Sequence, residues 1–242
     1  MNKLSIAIIG YGKMGKEVEK YAIEKGHQIA CSIDNENEWQ EKADKLKSAN
    51  VAIEFSTPDA VIDNIKKCFA LNLPVVTGTT GWHDQLEEIS ALCKEKNQAL
   101  FYASNFSLGV NILFELNRKL AEMLNDFDDY NLEIEETHHT QKLDAPSGTA
   151  ISLANDVLSR INRYGGWKLA DQNMSESDIP IKAIRKENVF GIHKVLYESS
   201  IDTISISHSA QSRLGFVKGA VMAAEWILNK KGTFTMQNML NL

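Results

Sequence analysis

Two periods of hydrophobicity alternate along the first hundred residues. Nearly continuous apolar runs lie at 4–9, 29–33, 51–55, 74–77 and 99–103. Between them, apolar positions recur every three or four residues over 14–24, 59–71 and 83–96. Unbroken runs suit strands buried on both faces, and the longer period suits amphipathic helices. Their alternation predicts a parallel sheet with helices on both sides. The piece at 36–48 is highly charged and is expected to be a short solvated helix or loop.

Past residue 107 the pattern changes. A long amphipathic helix is expected over 108–124, where Leu113, Leu116, Leu120 and Leu124 recur at helical spacing. Strand-like segments follow at 131–136, 181–189, 194–198 and 203–208, with one clear helix among them at 149–161. Strands without intervening helices predict a mixed or antiparallel sheet, and so a second domain of α+β type. The polar stretch 162–180, with Gly165 and Gly166, reads as a long loop. A last helix at 216–229 could pack on either domain.

Composition narrows the function classes. With 242 residues, 43% hydrophobic and 24% charged, the chain has the make-up of one large or two modest globular domains. A net charge of −6 argues against binding nucleic acid or an anionic membrane, since both need a positive field. No apolar run approaches membrane-spanning length, and the apolar start at 4–9 is too short for a secretion signal. Cys31, Cys68 and Cys93 are sparse and odd in number, which fits buried thiols in a reduced, cytoplasmic protein.

The first strand runs into Gly10-Tyr11-Gly12-Lys13-Met14-Gly15, a GxGxxG turn that opens a helix. Gly10 permits the sharp turn, Gly12 lets backbone approach a pyrophosphate, and Gly15 lets the helix pack close to the sheet. The helix N-terminus adds free N–H groups and a partial positive charge. Asp34, ending the second strand, stands where an acid that accepts from the adenosine ribose hydroxyls belongs. Together these indicate a bound dinucleotide and a Rossmann-type doubly wound sheet; a glycine turn beside a solvated aspartate is the plain alternative. Asp34, with no arginine after it, favours NADH, whereas Lys13 could offset that charge and admit NADPH. Gly78-Thr79-Thr80-Gly81 and Ala103-Ser104-Asn105-Phe106 leave strand C-termini, where small, hydroxyl and amide groups can orient a nicotinamide. Thr57-Pro58 reads as a helix cap followed by proline at the first helical position.

Residues 135–150, EETHHTQKLDAPSGTA, gather proton-transfer and anion-binding groups ahead of the next helix. His138 and His139 are neighbours in a strand pattern and point to opposite faces, which counts against a paired-histidine metal site. No third ligand is suitably spaced, and no metal is expected. Lys142 lies in the loop beyond, with Asp144 placed to orient the loop or Lys142 itself. Ser147, Gly148 and Thr149 can present N–H groups and hydroxyls at the positive end of the helix, a ready carboxylate site. A histidine of near-neutral pKa, a lysine and an anion turn suit reduction of a small, acidic, unsaturated molecule. Taken singly, each is an ordinary cap or surface charge.

The stretch EIEETHHTQKLDAPSGTA (133–150) resembles the signature of the dihydrodipicolinate reductases, also named 4-hydroxy-tetrahydrodipicolinate reductases, enzymes of lysine and diaminopimelate biosynthesis. GYGKMG, EFSTP, VTGTTGW, ASNFSLGVN and SRLGFVKGAVMAAEW extend the likeness nearly end to end. The resemblance implies reduction of a dihydrodipicolinate-type ring by NAD(P)H, with His138 as proton donor/acceptor and Lys142 as second proton donor. It implies that His139, Gly148 and Thr149 bind the substrate carboxylates. Gly10, Tyr11, Gly12, Lys13, Met14, Asp34, Gly78, Thr79, Thr80, Ala103, Ser104, Asn105 and Phe106 would bind cofactor. It further implies a nucleotide domain of 1–106 plus 214–242, a substrate domain of 107–213, and a homotetramer built through the second domain's sheet. Closure of the substrate domain should bring the nicotinamide against the ring and exclude water. Three departures stand out: the glycine loop is one residue shorter than in many members, Asn35 replaces an arginine that some carry, and RKENVFGIH lacks a glycine after Arg185. Two other readings compete: a dehydrogenase of another acidic substrate, and a non-catalytic dinucleotide sensor.

Overall fold

The computed structural model describes residues 3–242 and divides into two compact units, Met1–Leu108 with Leu214–Leu242, and Gly109–Arg213. In the first unit, β1 (Ser5–Ile9), β2 (Gln28–Ile33), β3 (Val51–Glu54), β4 (Val75–Thr77) and β5 (Ala99–Tyr102) form the expected parallel sheet. A further strand from the chain's end, β11 (Gly232–Phe234), pairs in parallel with β5, giving the order β2-β1-β3-β4-β5-β11. Successive strand residues face opposite sides. Ile6, Ile8, Ile53 and Phe101 therefore join one core cluster, while Ala7, Ile9, Ala52 and Leu100 join another. α1 (Lys13–Glu24) and α8 (Leu214–Trp226) supply Val18, Ala22, Val217 and Val221 to the first cluster. α4 (Pro58–Ala70) and α5 (Leu86–Glu95) supply Ile65, Cys68, Ile89 and Cys93 to the second. β1 pairs with β2 on one side and β3 on the other, so its C-terminal end is the topological switch point where such sheets bind ligands.

The charged stretch 36–48 is helical and largely solvated as expected, divided into α2 (Glu36–Glu41) and α3 (Ala43–Lys47), of which only Leu46 is buried. Other expectations need correction. The last long helix ends at Trp226, and the chain then makes β11 and α9 (Met236–Leu240). These elements are too short to carry a readable period; tertiary packing defines them. Thr57 is the N-cap of α4 with Pro58 in the first turn, but its side chain makes no capping hydrogen bond. All three cysteines are buried and unpaired.

In the second unit, α6 (Leu108–Leu124) leads into a five-stranded mixed sheet. Its strands are β6 (Asn131–His138), β7 (Gly166–Leu169), β8 (Asp178–Arg185), β9 (Ile192–Glu198) and β10 (Thr203–Ser209). Their order is β10-β9-β6-β8-β7, with β6, β8 and β7 parallel and β9 antiparallel to both neighbours. Leu132, Ile134, Ile181, Val195 and Tyr197 line one face against α6 and α7 (Gly148–Leu158), which bring Leu113, Ala121, Leu153 and Val157. The expected loop 162–180 in fact contains β7 and the start of β8; β7 is a four-residue edge strand with no apolar run to announce it. β8 also ends at Arg185 rather than 189, because the chain turns at Asn188, which has φ +59°. Among the described residues, no helix is long and apolar enough to cross a membrane.

Candidate active site

At the end of β1, Gly10 adopts φ +86°, and a Cβ there would sit 2.1 Å from the Phe55 carbonyl oxygen. A Cβ on Gly15 would come within 2.2 Å of the Gly10 carbonyl oxygen. Both glycines are thus demanded by the fold. Gly12, the N-cap of α1, is different: a Cβ would meet nothing within 4 Å. Its smallness leaves open space in front of the helix's free N–H groups, where a pyrophosphate fits. Lys13 is exposed beside it, and Met14 packs on the core.

The Tyr11 N–H donates to Asp34 Oδ1 at 2.8 Å, tying the glycine turn to the end of β2. Asp34 is exposed. A cavity of about 320 Å³ opens here, lined by Gly10, Gly12, Asp34, Asn35, Trp39 and Thr57 among others. The residues fit the phosphates and ribose of a dinucleotide. Around Asp34 stand Glu36 and Glu38, and the nearby lysines are engaged: Lys42 Nζ lies 2.6 Å from Glu38 Oε1, and Lys67 Nζ 2.5 Å from Glu36 Oε2.

The other two nucleotide-side loops prove partly structural. A Cβ on Gly78 would fall 2.0 Å from the Phe55 ring. Thr79 is buried, and its Oγ1 accepts from Ser56 N at 2.9 Å. Phe106 is buried against Phe101 and Phe55, with ring centroids 5.9 Å apart in each case. Thr80 and Ser104 are exposed, Ala103 is half-buried, and Asn105 Oδ1 accepts from Ser107 N at 2.8 Å. Glu54, fully buried at the end of β3, accepts from Thr77 Oγ1 at 2.5 Å and Ser56 N at 3.1 Å, bracing the start of the Gly78 loop and the turn that follows β3.

On the second sheet, β6 runs two residues further than expected and ends on His138, so His139 falls in the loop. Glu136 and His138, two apart, share the inward face, and both are buried. The register sets His193 of β9 opposite Glu136, and Arg185 of β8 opposite His138. Four chemically active side chains thus meet on one sheet face. Glu136 Oε2 lies 3.6 Å from His138 Nδ1 and 4.0 Å from His193 Nε2, and Oε1 lies 3.4 Å from Arg185 Nη1. Burial pulls the His138 pKa below the ordinary histidine value, with the Glu136 charge opposing it and Lys142 and Arg185 adding to it. The near-neutral value expected from sequence is therefore corrected downward. Burial, aided by His138, pushes His193 down to about 3.

Lys142 reaches the same end of the sheet. Its Nζ lies 2.8 Å from both oxygens of Asp144, and that hydrogen bond holds the Asp144 carboxyl below its usual range. Arg185 clamps the loop, donating from Nε to the Lys142 carbonyl at 3.2 Å and from Nη2 to the Asp144 carbonyl at 2.7 Å. After a cis Ala145–Pro146 bond, Ser147 caps α7: its Oγ accepts from Ala150 N at 3.3 Å and lies 3.2 Å from His193 Nε2. The Ser147 N–H donates to Glu136 Oε2 at 3.0 Å. Ser147 is thus committed inward, and the first-turn N–H groups of Gly148 and Thr149 are those left for an anion. His139 is half-buried at the loop's start.

Glu136, Arg185 and His193 are the site residues that sequence reasoning overlooked. The alternation in EIEETHH already placed Glu136 beside His138, but the other two depended on strand register. Glu136, His138 and His193 offer ligand atoms within 4.8 Å of one another, the one such grouping among the described residues. The Arg185 guanidinium on Glu136 opposes a cation there.

Known proteins place this architecture. The family model for the N-terminus of dihydrodipicolinate reductase matches residues 4–106, and that for its C-terminus matches 109–240. A 4-hydroxy-tetrahydrodipicolinate reductase of Christiangramia forsetii is 48% identical over 238 residues, covering 98% of each chain. One from Staphylococcus aureus is 36% identical, covering 98% of this chain and all of its own. A dipicolinate-bound dihydrodipicolinate reductase from Paenisporosarcina sp. TG-14 shares the fold, with TM-score 0.73 at 22% identity over 99% of this chain and all of that one. The chain belongs to the dihydrodipicolinate reductase family.

Proposed function

We propose that this oxidoreductase reduces 4-hydroxy-tetrahydrodipicolinate, or its dehydrated form dihydrodipicolinate, to tetrahydrodipicolinate in lysine and diaminopimelate biosynthesis. The observation that carries the reading is the convergence of His138, Lys142 and the open end of α7 at one end of the second sheet's central strand, in a chain whose other sheet carries a complete dinucleotide turn. A pyridine nucleotide, when bound, supplies the hydride. Gly10, Tyr11, Gly12, Lys13 and Met14 hold its phosphates, Asp34 its ribose, and the backbone around Gly78–Thr80 and Ala103–Asn105 its nicotinamide, with Thr79 and Phe106 as framework. Lys142 and His139 draw in the dicarboxylate, and the Gly148 and Thr149 N–H groups accept one carboxylate at the turn that Ser147 caps. His138 gives up the proton that accompanies hydride, with Lys142 as the second donor.

NADH is the proposed nucleotide. Asp34, Glu36 and Glu38 surround the ribose position with negative charge, and Asn35 brings no cation to meet a 2′-phosphate. The outward face of the second sheet mixes Ile184, Ile192 and Leu196 with Glu135, Lys182 and Lys194, which suits burial against further copies, so a homotetramer is proposed. Light scattering on the purified protein checks it.

The activity is tested by supplying pyruvate and aspartate semialdehyde with the synthase and following NAD(P)H absorbance. Oxidation well above the enzyme-free rate is expected. A rate equal to the blank rejects the assignment.

A further inference from the structure

The buried carboxylate behind His138 has no role in the chemistry described so far. Glu136 is fully buried, and a carboxylate in that position must be satisfied by its neighbours. Its Oε2 accepts from Ser147 N at 3.0 Å and lies 3.6 Å from His138 Nδ1. That imidazole nitrogen is buried with no hydrogen-bond partner in the resting protein. Hydrogen bonds of catalytic groups are often long before substrate binds and tighten afterwards. The opposite edge of the ring is kept clear: Gly191, at φ +154°, would place a Cβ 3.2 Å from His138 Nε2. One oxygen atom therefore faces both the proton-transfer ring and the backbone of the turn that opens α7.

We infer that Glu136 is a positioning residue that couples the two halves of the substrate site, directing the Nδ1 proton of His138 toward itself while anchoring the carboxylate-binding turn through Ser147. This rests on the reading of His138 as proton donor and of Gly148–Thr149 as the anion turn. Arg185 and His193 complete the arrangement. Arg185 holds the other Glu136 oxygen and the 142–144 loop carbonyls, and His193 fills the space between Glu136 and Ser147 Oγ. With Nδ1 engaged, Nε2 becomes the nitrogen that trades a proton with substrate, and Glu136 balances the imidazolium while it is charged. The charged and titratable groups facing His138 are Glu136 on its own strand, Arg185 on β8, His193 on β9, and Lys142 and Asp144 in the following loop. Of these, Glu136 exerts the largest upward pull on its pKa.

Glu136→Gln separates charge from packing, because the amide oxygen can still occupy the Oε2 place facing Ser147 N and Nδ1 while the negative charge that balances the imidazolium is lost. We expect kcat to fall about 100-fold, within the range for loss of general acid catalysis. NADH affinity should be unchanged, and the alkaline limb of kcat/KM should move to lower pH, since the anion that favours protonated His138 is gone. Glu136→Asp should recover part of kcat. A kcat within twofold of the parent, or a loss with the alkaline limb unmoved, overturns the inference. A second measurement needs no variant: in the ¹⁵N-histidine-labelled parent bound to NADH and pyridine-2,6-dicarboxylate, neutral His138 should be the Nδ1–H tautomer, and finding Nε2–H overturns it. An inactive parent would instead reject the reductase reading, while the tautomer would still report on Glu136.

Discussion

The two sheets hold their functional groups by opposite means. At the end of β1 the site is backbone: glycines whose missing side chains make room, N–H groups at a helix start, and one exposed acid, Asp34. At the end of β6 it is side chains, arrayed across three strands and stitched to a loop by Arg185. A backbone site is bound up with the fold that makes it, since the turn that opens the space before Gly12 depends on Gly10 and Gly15, which pack closely on Phe55 and on the turn itself. A side-chain site is separable, since an exposed reactive group can be removed without disturbing what holds it.

Glycine substitutions test the first half of that contrast and carry the largest expected effect. Gly10→Ala combines a strained positive φ with overlap against the Phe55 carbonyl, which should destabilise the protein by about 2–6 kcal/mol. Gly12→Ala meets no neighbour, so stability should change by less than about 1 kcal/mol while NADH affinity falls at least about tenfold. Urea unfolding and fluorescence titration of NADH read the two. If Gly10→Ala unfolds like the parent, or Gly12→Ala binds like it, the contrast collapses.

Lys142→Ala tests the second half. The side chain sits in a loop and pairs with the exposed Asp144, an ion pair worth little to the fold, so stability should move by less than about 1 kcal/mol. Turnover should fall about 100- to 1,000-fold, with nucleotide affinity unchanged. Parallel loss of turnover and nucleotide affinity would place Lys142 in the wrong site.

The buried side of the same cluster does couple to stability, and pH exposes it. His193 has a folded pKa of about 3 against about 6.5 when unfolded, so it stays neutral in the native protein. Its stabilising contribution is present above pH 6.5 and is lost as pH falls from there through about 3, because the unfolded chain takes up the proton first. Burial also depresses His138 and His208, which act in the same direction. Between pH 7 and 5 the parent should lose roughly 2 kcal/mol more than His193→Gln does. Equal losses in urea unfolding at the two pH values would mean that His193 is hydrated and ordinary.

The same contrast explains what could be read before any coordinates. GxGxxG, and the aspartate about twenty residues on, are local spacings, and each maps onto one turn and one strand end. The HHTQKLDAPSGT loop was legible for the same reason, as was the strand–helix alternation of the first unit. Glu136, Arg185 and His193 were not, because what joins them is the β6–β8 and β6–β9 register, a long-range pairing that no single segment encodes. β7 and β11 escaped for a related reason: three or four residues become a strand only when an existing edge accepts them. The inward commitment of Ser147 could not be foreseen either, since a capping serine looks the same whether its N–H faces solvent or a buried carboxylate.

Asp34 is the acid tied to the glycine turn, and it should govern choice between nucleotides rather than chemistry. Asp34→Asn keeps an Oδ1 acceptor for the Tyr11 N–H, so the glycine turn should hold its shape, while the charge opposing a 2′-phosphate is removed. Glu36 and Glu38 remain nearby, and their lysine partners are already engaged, so the preference should weaken rather than invert. The parent should favour NADH, and the ratio of kcat/KM for NADH to that for NADPH should fall about tenfold in the variant, or about 1.4 kcal/mol. Steady-state kinetics with each nucleotide at saturating dicarboxylate decide it. An unchanged ratio would mean that selection is made by backbone shape alone, which would carry the contrast between the two sites further than proposed.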